Sequence, residues 1–356
     1  MARIRSGARA LALSLTWHIA APAPGAAQDE AVAQDEAVAQ EEAVAQEEAV
    51  ETTYFAFHAD PWINLHHFLY QWSRAELGIG SGRAAVAVPE RGDRLPPGSQ
   101  AAAWRGAVEF YAANVAERDH FDLPMLELKT ALTQLEGDSG AAPPDDIPGV
   151  AEHLAAAMPV YLDVWWPEHE RANRRWIVRV VDDVRRYEVR WVETVRRAFG
   201  GDWTEGRLRV DASAYANWQG GYTSNGPPHA VVWSADPTNM EGLYGLEMVF
   251  HESGHMSSLG GPLRRTVGDV FRGAGVEEPG NLRHAMLFAT AGEVTRIIAV
   301  ERGLPAHVPY IVAEGLTGFA GWRELWPVVE AHWIPVVASG ADPRTAIEAM
   351  ARELRR

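Results

Sequence analysis

The chain has 356 residues, 47% of them hydrophobic, and a formal net charge of −16. That length and apolar content suffice for one large or two ordinary domains, and so acidic a balance argues against nucleic acid as a partner, because phosphate must be neutralised by a basic surface. Cysteine is absent, which excludes disulfides, thiolate metal sites, cysteine nucleophiles and a lipid anchor on cysteine, and leaves any metal to histidine and carboxylate.

The charge divides the chain into three materials. Residues 1–27 hold Arg3, Arg5 and Arg9 and no acid, followed by an apolar stretch (ALALSLTWHIAAPA) and small residues up to Ala27. This order predicts a secretory signal cleaved before Gln28, and hence a periplasmic or extracellular protein that is not a lipoprotein. Residues 28–51 repeat a six-residue unit (QDEAVA, QDEAVA, QEEAVA, QEEAVE) with nine acids and no base. Valines six apart scatter over three directions of a helix, so no apolar stripe forms and a solvated, disordered linker is expected. The remaining 52–356 carries a net −10, and no later run of 18 uncharged apolar residues predicts stable membrane insertion.

Within 52–200 apolar residues recur at three- and four-residue spacing. They predict helices over Pro61–Leu77, Gln100–Glu117, Leu123–Leu135, Ile147–Val164 and Glu168–Phe199. Pro- and Gly-rich breaks such as RLPPGSQ and GDSGAAPPDD separate several of them. From residue 201 the texture changes. LRVDASAYA and HAVVWSA read as short strands joined by the turn-rich GGYTSNGPP. Helical patterning returns over Glu241–Ser258, Arg283–Arg302, Val308–Ser339 and Pro343–Leu354. The expected fold is mainly α, of α+β class: a helical N-terminal region (52–200), then a region (201–356) with a small sheet and further helices, the whole able to form one compact body.

One motif carries chemistry. His251-Glu252-Ser253-Gly254-His255 is an H-E-x-x-H pentapeptide in an apolar helical stretch. Histidines four apart lie on one helix face, so both imidazoles reach one metal ion, and the intervening Glu stands beside its open position as a base. Unpaired, this polar cluster would be costly in a buried helix. A catalytic zinc site uses three protein ligands and an open position. Ser258 and Gly261 occupy the places where a metzincin needs Gly and His. The candidates for the third ligand are Asp269, His284 and Glu293. Glu293 is favoured, because an ionised carboxylate in the apolar helix after Ala285 needs a partner; an ion pair with Arg296 is the competing reading. His284 falls about 180° around the same helix from Glu293.

The motif followed by a helical Glu293 resembles the gluzincin class of zinc metallopeptidases over roughly residues 207–302. The resemblance implies a zincin-like catalytic region, one Zn2+ held by His251, His255 and Glu293, and Glu252 as general base and then acid. It also implies that the strand His229–Ser234 is an edge strand whose His229, Val231 and Trp233 pair with an extended substrate. An oxyanion donor is implied as well, with Tyr310, His284 and Tyr222 as candidates. Glu247, four residues before His251, is a candidate to orient an imidazole. His66-His67 point about 100° apart and read as core histidines, and the Trp-rich 321–333 as packing or the floor of a cleft.

The favoured function is thus an exported zinc metallopeptidase acting on peptide or protein substrates. The alternatives are an exported, non-catalytic zinc-containing binding or scaffold protein, and a zinc amidase acting on a non-peptide or cell-wall amide.

Overall fold

The computed structural model describes residues 49–79, 95, 97–204, 206–216, 220–225, 227–234 and 240–355, all within one unit, Val44–Arg356. The expected export signal and most of the acidic repeat lie outside these residues. The last three residues of the repeat do not. Ala49–Glu51 form a strand, β1, where the sequence predicted linker. Val50 faces Phe57 across the strand pair, and both are buried. One valine of the repeat therefore has a core to enter.

β1 pairs antiparallel with β2 (Phe55–His58), which the sequence did not predict. The turn between them is fastened by a buried carboxylate. Glu188 accepts from Thr52 Oγ1 at 2.6 Å, Thr53 N at 2.9 Å and Tyr54 N at 3.1 Å. The sheet continues with β3 (Leu208–Ser213), β4 (Gly221–Asn225) and β5 (Pro228–Trp233) in the spatial order β1-β2-β3-β5-β4. β2, β3 and β5 run parallel, and β4 returns antiparallel on β5. Because β2 pairs with β3, the regions before and after residue 201 share one sheet.

Alternation along the strands gives each sheet face its own core. Phe55, Phe57, Val210, Ala212, Ala230 and Val232 join one apolar cluster, whereas Tyr222 and Val231 join the other. The second cluster surrounds α1 (Pro61–Glu76), buried at every residue from Pro61 to Ser73. Asp60 caps it by accepting from Trp62 N and Ile63 N, with Pro61 at the first helical position. α2 (Ser99–Asn114), α3 (Leu123–Thr133) and α4 (Val150–Val164) pack around α1. α5 (Trp166–Phe199) is 34 residues long. Its buried Trp176, Val180, Val184, Trp191 and Val195 form a stripe at three-to-four spacing that belongs to the first cluster. It stops at Gly200, whose φ of 71° suits glycine.

The last third departs from expectation in two places. The stretch Glu241–Ser258 is two helices in part: α6 (Leu243–Gly254) ends inside the motif, and α7 (Ser257–Ala274) begins at once. α7 hides from periodicity because Gly260, Gly261 and Pro262 open it. Then comes α8 (Leu282–Glu301). The predicted helical stretch Val308–Ser339 is divided into α9 (Tyr310–Ala313), a 3-10 turn (Leu316–Gly318), α10 (Trp326–His332) and α11 (Ile334–Ser339). Gly315, with φ 66°, and Pro327 and Pro335 at helix starts account for the breaks. α12 (Pro343–Leu354) closes the chain. The architecture is mainly helical with a small mixed sheet. Among the described residues no helix is long and apolar enough to cross a membrane.

Candidate metal centre

The non-motif residues of H-E-x-x-H fix the position of α6. Trp191 of α5 stacks on Phe250 with ring centroids 5.0 Å apart and an interplanar angle of 1°. Its Nε1 donates to Ser253 Oγ at 2.7 Å, and that hydroxyl donates to Phe250 O at 2.9 Å. Gly254 faces α8 so closely that a Cβ there would stand 2.3 Å from Leu287 Cδ1. The small residue lets α8 approach and brings His284 to the motif.

His251, His255 and His284 form a cluster that could hold a metal ion. Their ligand atoms all lie within 4.8 Å of one another, and both His255 Nε2 and His284 Nε2 stand 3.2 Å from His251 Nε2. The His251 ring stacks on Phe288 at 3.8 Å, and His284 meets Trp322 edge-on at 5.5 Å. Burial lowers all three pKa values, with repulsion among the rings adding to it for His251 and His255. His255 falls to about 3 and His284 to about 4. The rings are thus neutral, the form that ligates. Three nitrogens facing one point satisfy one another poorly. A single divalent cation satisfies all of them, so the donor set fits a metal ion with an open coordination position.

Glu252 sits beside them, 3% exposed. The Thr223 hydroxyl donates to its Oε2 at 2.7 Å and lies 2.9 Å from its carbonyl oxygen. Its Oε1 lies beside Gly221, where a Cβ would stand 2.9 Å away, so the bare glycine leaves room for the carboxylate as it is placed. Burial pushes the Glu252 carboxyl up to about 8, against the opposing Thr223 hydrogen bond. A neighbouring cation acts in the other direction, favouring the carboxylate. Glu252 and the three histidines line a cavity of about 330 Å3 with Gly221, Thr223 and an aromatic wall that includes Phe121, Tyr222, Phe288, Phe319 and Trp322.

Several expected residues stand elsewhere. Glu293 makes a two-pronged ion pair with Arg296, Oε2 to Nε at 2.6 Å and Oε1 to Nη2 at 2.7 Å. Nine residues along α8 are half a rotation, so when His284 faces α6, Glu293 faces away; the cluster that could hold a metal ion includes His284 and not Glu293. Glu247 does not orient an imidazole of the cluster. It accepts from His307 Nε2 at 2.5 Å and from Tyr310 N at 2.9 Å, fastening α9 to α6. Tyr310 packs near Phe288 and Tyr244 and does not line the cavity. Asp269 is on α7, paired with Arg272 on the surface.

The expected edge strand is interior. β5, carrying His229, Val231 and Trp233, lies between β3 and β4. His229 bonds Asp211 at 2.7 Å, Val231 is fully buried, and Trp233 packs on the α1 side. The edges are β1 and β4, the latter read from sequence as a turn. Asn225-Gly226 was the hairpin signal for it. Tyr222 does line the cavity, but its hydroxyl is 2.7 Å from His67 Nε2. His66 and His67 are core residues, each bonded to a tyrosine. Thr223, Gly221 and Phe288 had no sequence signal. No family model, curated protein or solved structure matches the chain.

Proposed function

We propose that this chain is a zinc-dependent hydrolase that cleaves peptide bonds. The observation that carries the reading is the buried Glu252 carboxylate in the same cavity as three converging imidazoles, because a closed structural metal site has no use for a base. Zinc held by His251, His255 and His284 would supply Lewis acidity, acidifying water and polarising a carbonyl oxygen. Glu252 accepts a proton from the attacking water and delivers it to the leaving amine. Thr223 holds Oε2 and leaves Oε1 directed at the cavity.

A peptide is favoured as substrate by β4. It is one of the two edge strands, and Gly221, Tyr222 and Thr223 line the cavity. An extended backbone adds naturally to such an edge. A third histidine in place of a glutamate departs from the gluzincin ligand pattern, while the His-Glu-x-x-His helix and the base keep that pattern.

The test is bound metal and hydrolysis of casein and of a fluorogenic peptide set, for the wild type and Glu252→Gln. About one zinc per chain is expected in both proteins, with turnover reduced by roughly 100- to 10,000-fold in the variant. Protein that binds no zinc would sink the metal assignment, and undiminished turnover in Glu252→Gln would sink the role of the base.

A further inference from the structure

The metal cluster has a second neighbour. His255 and His284 also line a cavity of about 600 Å3 on the side facing α7. Its composition is unlike the aromatic cavity. Arg264, Arg265 and Arg283 stand in its lining with Gly254, Gly260, Gly261 and Gly280, and no acidic residue does. The two cavities share His255 and His284, so both lie beside the cluster.

Many arginines of this acidic chain are matched: Arg190 to Glu301, Arg196 to Asp202, Arg302 to Asp183, Arg209 to Asp211. In the cavity, Arg283 is paired with Glu278 at 2.5 Å. Arg264 and Arg265 are exposed and have no hydrogen-bond or ion-pair partner among the described residues, and Arg264 lies near enough to His255 to repel its protonated form. They stand one turn after Gly260 and Gly261 in the first half of α7, whose N-terminal end carries the positive pole of the helix. Gly260 packs on the Gly254 carbonyl, where a Cβ would stand 2.6 Å away, while Gly280 has open space where a Cβ would be.

We propose that this arginine cavity is the subsite for a substrate carboxylate, so that the preferred substrate carries a carboxylate on one side of the scissile bond and an aromatic or apolar group on the other. The proposal rests on the hydrolase reading for the word substrate; the cavity's preference for a carboxylate is measured without turnover. Two sources share this chemistry, a free peptide C-terminus and an acidic side chain.

The experiment titrates zinc-loaded Glu252→Gln protein with N-acetylated, phenylalanine-containing short peptides. One pair differs in a free against an amidated C-terminus. A second pair, both amidated, differs in Glu against Gln next to the phenylalanine. Binding about tenfold tighter for a charged member is expected, shrinking as salt is raised. Preference within the first pair assigns the terminal carboxylate, and within the second the side chain. Adding Arg264→Gln and Arg265→Gln together should bring that ratio to near one, while Arg272→Gln, on the same helix but paired with Asp269, should leave it. Equal binding of charged and neutral peptides overturns the proposal, as does a preference that survives the double substitution. If charge-dependent binding holds and the wild type cleaves no peptide, the hydrolase reading fails and the anion site stands.

Discussion

Two buried clusters of histidine and charge sit in this fold, and they are built to opposite rules. In the first, Asp211 is fully buried between Arg209, with Nε 2.7 Å from Oδ2, and His229, with Nε2 at 2.7 Å, and Arg209 reaches on to Asp60 at 3.3 Å. Burial alone would raise the Asp211 pKa, but Arg209 and His229 hold it below the usual carboxylate range. Every charge there has an opposite neighbour. In the second, His251, His255 and His284 turn like atoms toward one another, and no carboxylate of a described residue pairs with them. The first cluster is complete as folded and reads as structure. The second offers three nitrogens that one cation could satisfy, and reads as a site.

The largest expected effect breaks the second cluster. His284→Ala should weaken zinc binding by more than about 100-fold, beyond what loss of an outer partner of a ligand costs. Glu293→Ala should retain one zinc per chain, measured by metal analysis after dialysis against a weak chelator. The opposite pattern would return the third-ligand role to Glu293.

The next effect breaks the first cluster. Asp211→Ala leaves Arg209 and His229 buried without their carboxylate, and removal of one partner from such a set costs about 3–5 kcal/mol. Urea unfolding should show that loss, while protein that remains folded should still bind one zinc. A small loss would mean that solvent reaches the cluster.

The contrast also explains what the sequence could reveal. His251 and His255 were legible because both histidines and Glu252 lie within five residues, where 3.6 residues per turn sets their faces. His284 was legible only as one of three candidates, because α8 offers two polar faces and long-range packing, such as that of Gly254 against Leu287, turns one of them inward. A buried carboxylate needs a partner, and for Glu293 that partner was Arg296, three residues on. The long helices α1, α5 and α8 were legible from their apolar spacing. β2 and β4 were not, being four and five residues long, with β4 rich in residues that favour turns. Long-range pairing made both into strands, and with β4 came Thr223, the residue that holds Glu252.

The smallest effect sharpens the boundary of the first cluster. Asp60 is 3% exposed and close to Asp211. Burial and then repulsion from Asp211 raise its pKa to about 6, against Arg209 and the backbone N–H groups of Trp62 and Ile63. Its folded pKa therefore lies above its unfolded value near 4. The stability this group contributes is fully present below about pH 4, and it is lost as pH rises through about 6. Asparagine keeps an oxygen for the helix cap and carries no charge. Asp60→Asn should match the wild type near pH 4 and exceed it at pH 7 by about 1–3 kcal/mol, reduced by the lost contact to Arg209. Urea midpoints of both proteins at the two pH values measure the difference. A difference that does not grow with pH would place Asp60 inside the charge-matched set, ionised alongside Asp211, with Arg209 shared evenly between them.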